Sequence, residues 1–351
     1  KCGSTEFVPE KDIINTWATS SLTPTIVKDL LKDTKIYDNI KDKPMSIRRN
    51  GQDIITFWDF NTIVKSHLHY NMKPWNELYI NGWMLGRDGR KMSKSLGNGV
   101  SPQEVVSEYG ADVLRYLCAS IAPATAVSFS EKELVAGKKF VNKLLNASKF
   151  VFMNLKDYDY SEVKNLKKVD ELFLNKLNDL VGEVAGAYEG YNIFRVKQLV
   201  EQFFWKDFCD NYLEIVKKRV YQGEGEAKKS AQYVLYKSLL AILKMIAPIM
   251  PFISEEIYQE YFKESEKVKS IHVSEWPKAD EVEDFALYDK FVDLLTKIRF
   301  EKSNAKKSMN SEIVLSLNKE DVNNLKGMEE DLKNVTNAKE IKEGKFKVEF
   351  N

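Results

Sequence analysis

Apolar side chains recur every third or fourth position from residue 101 to about 277, the period of helices that bury one face. Phe140, Leu144, Ala147 and Val151 make one such stripe, and Phe173, Leu177, Leu180, Val184 and Tyr188 a second. Leu199, Phe203, Phe208, Tyr212 and Val216 suggest a third, and Leu235, Leu239, Ile242 and Ile246 a fourth. Breaks fall at Asp157-Tyr158-Asp159, at Gln222-Gly223-Glu224-Gly225 and at Pro248 and Pro251, with Ser254 placed to cap a further helix. Four or five amphipathic helices with modest loops predict a helical bundle.

The two ends have another texture. Residues 1 to about 99 mix short strands, turns and one apolar helix, a pattern of α/β type. Residues 77–85 read as a strand, Asp88-Gly89 as a tight turn, and Arg90-Lys91-Met92 as the returning arm of a hairpin. Ser101-Pro102-Gln103-Glu104 then opens a helix, with an N-cap serine, proline at the first position and glutamate to close a capping box. Upstream, Asp53 starts an apolar helix that runs to about His69. After Pro277 the acidic residues 280–284 read as a linker. Residues 286–351 follow as helix, strand (312–317), helix (321–333) and strand (345–350), a small α/β appendage. The expected division is therefore 1–99, a connecting segment 100–135, a bundle 136–279 and an appendage 286–351, α/β plus all-α in class.

Composition narrows the function without naming it. The chain has 351 residues, 43% hydrophobic and 30% charged, enough for two or three domains with a real core. A net charge of +1 excludes a globally basic nucleic-acid binder but leaves room for local basic faces. Three widely spaced cysteines fit a reducing compartment, and the expected location is cytoplasmic. Cys118 and Cys209 lie in apolar helical runs and read as small buried hydrophobes. Lys1-Cys2-Gly3-Ser4 resembles the second half of a Cys-x-x-Cys knuckle whose first half would precede residue 1; without it no metal site is assigned. His67 and His69 read as surface cations at a helix end rather than metal ligands. No membrane span or signal peptide is expected, and the chain opens without methionine. It is expected to be a fragment, a processed piece or half of a split protein.

No Walker A loop, dinucleotide fingerprint or nucleophile–base pair is visible, so a chemistry of positioning and charge suits the inventory, phosphoryl or nucleotidyl transfer above all. Three segments could carry it. Lys91-Met92-Ser93-Lys94-Ser95-Leu96-Gly97-Asn98 sets two ammonium groups three positions apart among small hydroxylated residues, a loop that can fold over a polyphosphate. The plainer alternative is an exposed basic turn. Around Gly51 and Asp53, glycine permits close backbone approach and the carboxylate can receive an amine or a ribose hydroxyl. Ile54 and Trp58 fall four apart on one face, which alone describes a capped core helix equally well. Trp17 stands among small residues between Asp12 and Pro24, either as the wall of an aliphatic pocket or as part of a packed loop.

The order of these segments is similar to that of class I aminoacyl-tRNA synthetases. Asp-x-x-x-Thr-Trp-Ala-Thr-Ser-Ser-Leu-Thr-Pro, Gly-x-Asp-Ile-Ile-x-x-Trp and Lys-Met-Ser-Lys-Ser-x-Gly-Asn together resemble the valyl branch, in its archaeal wording. Similarity continues through Tyr109–Arg115, Asn142–Phe150, Phe208–Glu214 and Ala247–Glu256. The chain departs from the pattern at Asn81, where histidine is frequent, and at Leu145, where tryptophan is. The resemblance implies the C-terminal half of a Rossmann-like catalytic domain, a helical anticodon-binding bundle and a small α/β tail. It implies ATP (with Mg2+) and valine as substrates and tRNA(Val) as partner. Lys91 and Lys94, with Ser93, would hold the β- and γ-phosphates, and Gly51 would lie close to the nucleotide. Asp53 would take the amino group of valine or a ribose hydroxyl, while Trp17, Ile54 and Trp58 would wall the pocket. Lys138, Lys139, Lys217 and Lys218 are candidates for tRNA phosphates. A second nucleotide motif of His-Ile-Gly-His type and an editing domain are not in the sequence. The chain would then need a separate N-terminal half for full activity. An isoleucyl-type fragment, a non-catalytic tRNA-binding module or split-enzyme subunit, and a helical scaffold are the alternatives.

Overall fold

The computed structural model describes residues 3–279 and 282–350, so Cys2 and part of the acidic linker lie outside it. The chain divides into two compact units, Lys1–Gly99 with Ile121–Phe129, and Val100–Ser120 with Ser130–Asn351.

The first unit begins with an exposed extended segment and three short helices, α1 (Thr16–Ser20), α2 (Thr23–Leu30) and α3 (Tyr37–Ile40). These are too short for the periodicity that betrays longer helices, and none was expected. Local caps hold them: the Asn15 carboxamide accepts from the Trp17 N–H, and Pro24 sits in the first turn of α2. Strand β1 (Met45–Gly51) runs parallel to β2 (Trp75–Asn81), with Gly51 opposite Asn81. Between them stand a 3₁₀ turn (Gln52–Ile54), a π-helical stretch (Ile55–Asp59) and α4 (Phe60–Tyr70). The helix expected from Asp53 to His69 is thus regular only from Phe60. Widening the first turn lets the adjacent Trp58 and Asp59 both face inward, at 4% and 1% exposure. His67 and His69 are exposed in the last turn of α4.

The strand expected over 77–85 is two strands in two sheets. After β2, Gly82 interrupts, and β3 (Trp83–Leu85) pairs in parallel with β4 (Ala126–Ser128). A Cβ on Gly82 would stand 2.6 Å from Ile121 Cγ2 and 2.7 Å from the Ala122 carbonyl oxygen, so the crossover needs glycine. The expected hairpin shrinks to one antiparallel bridge, Leu85 to Lys91, turned through Gly89 at φ +73°.

In the second unit Ser101 caps α5 (Pro102–Tyr109) as expected, its hydroxyl accepting from the Glu104 N–H. There follow α6 (Ala111–Ala119), α7 (Glu131–Met153), α8 (Lys168–Glu189), α9 (Ile193–Gln202), α10 (Leu213–Gln222), α11 (Gly225–Ile246), α12 (Pro251–Tyr261) and α13 (Lys263–Glu266). Phe140, Leu144, Val151, Phe173, Phe208, Tyr212, Val216, Leu235, Leu239, Ile242 and Ile246 are all at or near zero exposure, so the four apolar stripes do meet in one core. A second π-helical stretch, Phe203–Tyr212, joins α9 to α10. Ser254 does not cap α12, which already begins at Pro251. The cap comes from α6: the Asp112 carboxylate accepts from the Phe252 and Ile253 N–H groups at 3.2 and 2.7 Å. Arg115 donates to the Pro248 and Ile249 carbonyls, both at 2.8 Å. One helical turn of α6 therefore serves both ends of the α11–α12 corner. Cys209 is buried, but Cys118 lies at an exposed position, a correction to the sequence reading.

The C-terminal elements are α14 (Ala286–Asn304), β5 (Ile313–Leu317), α15 (Lys319–Asn324), α16 (Glu329–Thr336), β6 (Ala338–Glu343) and β7 (Lys347–Phe350). β5 is central, parallel to β6 and antiparallel to β7. Ile313, Leu315 and Leu317 enter the same apolar core as the bundle. Among the described residues no helix is long and apolar enough to cross a membrane.

Candidate active site

The lysine loop is braced from within. Asn98 is the hub: its side-chain oxygen accepts from the Ser93 N–H at 3.0 Å, and its amide donates to Asp88 at 3.2 Å and to the Lys91 carbonyl at 3.3 Å. Ser93 Oγ lies 3.1 Å from Ser95 Oγ and accepts from the Leu96 N–H, while Gly97 turns the chain at φ +62°. The loop leaves Lys94 exposed, with no ion pair among the described residues.

Lys91 is engaged. Its Nζ lies 2.9 Å from Asp53 Oδ2 and 4.5 Å from the centroid of the Trp83 ring. Both partners of the ion pair are well exposed, so it contributes only ~0–1 kcal/mol and is easily exchanged for another anion. Gly51 lies beside it. A Cβ there would stand 2.7 Å from Asp53 Oδ1 and 3.1 Å from Trp83 Nε1, so glycine is what admits the carboxylate and the indole together. Lys91, Asp53 and Gly51, separated by up to forty positions in sequence, thus form one cluster.

Beneath β1 a polar group holds the segment. Asn50 donates to the buried Asp59 carboxylate at 2.9 Å, and burial raises the pKa of Asp59 while Asn50 and Arg48 oppose the rise. The Arg48 guanidinium lies 3.6 Å over the Trp58 ring, whose other neighbour is Trp75 at 5.6 Å. Trp58 is therefore interior, in contact with a cation and a second indole. Ile54 is half-buried. Trp17, also half-buried, stacks on Phe57 at 6.2 Å, four residues beyond Asp53 on the same continuous segment. At Asn81 the carboxamide oxygen accepts from Arg49 at 2.8 Å, so the position keeps a hydrogen-bonding role. Sequence reasoning missed Trp83, Asn98 and Phe57. All three stood inside stretches already singled out, but only the folded structure shows what they touch.

The helical unit presents aromatic rings beside lysines. Lys143 lies 5.6 Å from the Trp205 ring and Lys217 lies 6.0 Å from Phe150, which meets Tyr221 edge-on at 5.9 Å. Lys138 lies 5.7 Å from Tyr109. Rings and cations interleaved in this way suit stacked bases and phosphates. Of the four lysines singled out by sequence, Lys217 is also gripped by Glu214 at 2.7 Å and Lys218 donates to Asn334 at 2.9 Å. Lys138 and Lys139 are exposed.

Comparison with known proteins bears on both sites. The family model described as tRNA synthetases class I (I, L, M and V) matches residues 1–130, and that described as anticodon-binding domain of tRNA ligase matches residues 170–315. Valine–tRNA ligase of Archaeoglobus fulgidus is 40% identical over 80% of this chain and 31% of its own length. Those of Methanococcus maripaludis and Ehrlichia ruminantium are 36% and 38% identical over 97% of this chain, and 40% and 42% of their own lengths. The chain thus spans well under half the length of these relatives. Among solved structures, a leucyl enzyme of Agrobacterium radiobacter, in a ternary complex with tRNA and LeuAMS, has a TM-score of 0.58 at 20% identity, covering 80% of this chain and 35% of that one. The methionyl-tRNA synthetase of Mycobacterium tuberculosis, complexed with methionyl-adenylate, has a TM-score of 0.53 at 20% identity, covering 64% and 45%. These two likenesses concern the fold alone.

Proposed function

Because this chain belongs to the class I tRNA synthetases, alongside the valine–tRNA ligases it matches, we propose that it carries the lysine-loop part of a valine-activating site together with a tRNA-binding bundle. The observation that carries the reading is the contact of Lys91 with Asp53 over Gly51. In the reaction the carboxylate of valine attacks the α-phosphorus of ATP, giving valyl-adenylate and pyrophosphate. The valyl group then passes to the 2′-hydroxyl of the terminal adenosine of tRNA(Val).

The residues divide the work by charge. Lys94, without an ion pair among the described residues, meets the triphosphate first, and Ser93 adds a hydroxyl. Lys91 exchanges Asp53 for the β- and γ-phosphates and stabilises the charge that builds up on the departing pyrophosphate. That exchange frees the Asp53 carboxylate for the ammonium of valine or a ribose hydroxyl. One side-chain swing thereby links nucleotide binding to amino-acid binding. Gly51 keeps the floor open. Trp17 and Ile54 line the aliphatic pocket, and Trp58, itself interior, backs it and fixes its depth. Mg2+ travels with the triphosphate. Its ligands there would be phosphate oxygens and water. The helix of α4 joining two parallel strands supports a Rossmann-like layout for this part. The lysine–aromatic face on α7 and α10 supports contact with tRNA.

Valine and isoleucine differ by one methylene, worth ~1–3 kcal/mol in an apolar pocket, a magnitude known from synthetases of this class. The test is amino-acid-dependent exchange of pyrophosphate into ATP. The chain alone should support none. The chain mixed with the upstream portion of a relative should regain it with valine, and more weakly with isoleucine. Exchange by the isolated chain would refute the incomplete-site reading, and restored exchange preferring isoleucine would refute the substrate.

A further inference from the structure

Away from the lysine loop, the helical unit contains a cavity of about 320 Å³ between α8, α11 and the segment around Trp276. Its floor is apolar: Leu177 and Val181 come from α8, and Leu240 and Ala241 from α11. Asn178 breaks that pattern. It is 6% exposed and lines the cavity, and its carboxamide has no hydrogen-bond partner among the described residues. Its polar atoms open onto the cavity, where a ligand offering both a donor and an acceptor can pair with them.

The rim supplies the rest. Trp276 is held upright by an edge-on contact with Tyr188 at 5.4 Å, and the Tyr188 hydroxyl is itself fixed by donating to the Met245 carbonyl at 2.9 Å. Lys237 and Lys244 stand two turns apart on α11, about 10 Å along the axis. Lys237 is exposed and touches only the Tyr233 ring, at 5.7 Å, with no ion pair among the described residues. Lys244 is largely enclosed; Glu266 lies 4.0 Å from it, and the cavity's other carboxylate, Glu275, pairs with Lys278 at 3.5 Å. Burial lowers the pKa of Lys244, Lys237 adds to the fall, and Glu266 and Glu275 oppose it.

We propose that this cavity binds a planar heteroaromatic molecule carrying an anionic group, the chemistry of a nucleoside monophosphate. The heterocycle lies on the apolar floor against Trp276 and pairs its polar edge with Asn178, while Lys237 and Lys244 take the anion. The same chemistry could come from a free nucleotide or from an unstacked nucleotide of an RNA. The test uses the full chain with Lys91→Ala and Lys94→Ala, which silences the lysine loop, and measures AMP, adenosine and inorganic phosphate by equilibrium dialysis. AMP should bind saturably, with adenosine and phosphate each at least tenfold weaker. Asn178→Leu and Lys244→Met, added singly, should each weaken AMP at least tenfold while urea midpoints hold; Lys244→Met sits at the rim and serves if Asn178→Leu does not fold. Competition by a 5′-phosphorylated trinucleotide identifies RNA as the source, and its failure identifies a free mononucleotide. Absence of saturable AMP binding, equal binding of phosphate and AMP, or indifference to both variants overturns the proposal.

Discussion

Replacing Asp331 by asparagine should make the protein more stable at neutral pH and leave it unchanged in acid. The reason is a buried group with unequal charge. Arg219 on α10 grips Asp170 on α8 through two nitrogens, each at 2.7 Å, and Asp170 also accepts from the Tyr212 and Ser230 hydroxyls at 2.8 and 2.5 Å. Asp331 on α16 is the second carboxylate. It lies 2.9 Å from Arg219 Nε, an ion pair whose atoms are not aligned for a hydrogen bond. Two anions face one cation, so one carboxylate is left over, and it is the one with fewer donors. Burial therefore pushes the Asp331 carboxyl from its ordinary 3.8 up to about 6, against the pull of Arg219. At about 1.4 kcal/mol per tenfold, that gap is about 3 kcal/mol. The sign follows from proton counting. Between pH 4 and 6 the folded state holds more protons at this site than the unfolded chain, so its contribution to stability falls as pH rises through 6 and is flat above. Asp331→Asn removes the titration. Urea unfolding of both proteins should give matching stabilities near pH 3, an advantage of about 1 kcal/mol for the variant near pH 4.5 and of up to about 3 kcal/mol near pH 7.5. A constant difference across that range, or a variant weaker at neutral than at acid pH, would refute the assignment of the surplus charge to Asp331.

Other outcomes follow from single contacts. Lys302 is 1% exposed and donates to the Met309, Ser311 and Thr336 carbonyls at 2.7, 2.8 and 2.6 Å; Lys302→Met should cost about 2–4 kcal/mol in urea unfolding, since three acceptors lose their donor. Arg115→Ala uncovers two carbonyls at the α11–α12 corner and should cost about 1–3 kcal/mol by the same measurement. Burial pushes the Cys209 thiol up to about 12 and raises Cys118 as well, so access decides: at pH 8 iodoacetamide should label exposed Cys118 slowly in the folded protein and reach Cys209 only in urea, as read by mass spectrometry.

Much of the helical unit was legible because a helix advertises its buried face locally. Even the π-helical stretch left a trace: the third stripe steps by five from Phe203 to Phe208, where the others step by three or four. The Ser101 cap was readable for the same reason. What escaped depended on distant partners. The N-terminus of α12 is capped by Asp112, some 140 positions away, while Ser254 nearby offered a false signal. β6, Ala-Lys-Glu-Ile-Lys-Glu, is a mostly exposed edge strand and lacks the clean alternation that marks buried strands. The split of residues 77–85 into two sheets depends on the crowding of Gly82 by residues 121–125, which no local pattern encodes. In the candidate site the charged residues were named in advance, whereas the contacts of Lys91 with Asp53 and Trp83 required the parallel register of β1 and β2.

The account rests on the lysine loop meeting a triphosphate, and lysine acylation read by mass spectrometry tests that without relying on turnover. In the full chain, Lys94 should label readily and Lys91 more slowly, since Asp53 holds it. Adding ATP with magnesium should lower labelling at both, while exposed Lys132 and Lys139 on α7 stay unchanged. Labelling of Lys91 and Lys94 that is indifferent to ATP at millimolar concentration would contradict the assignment of this loop to the phosphates.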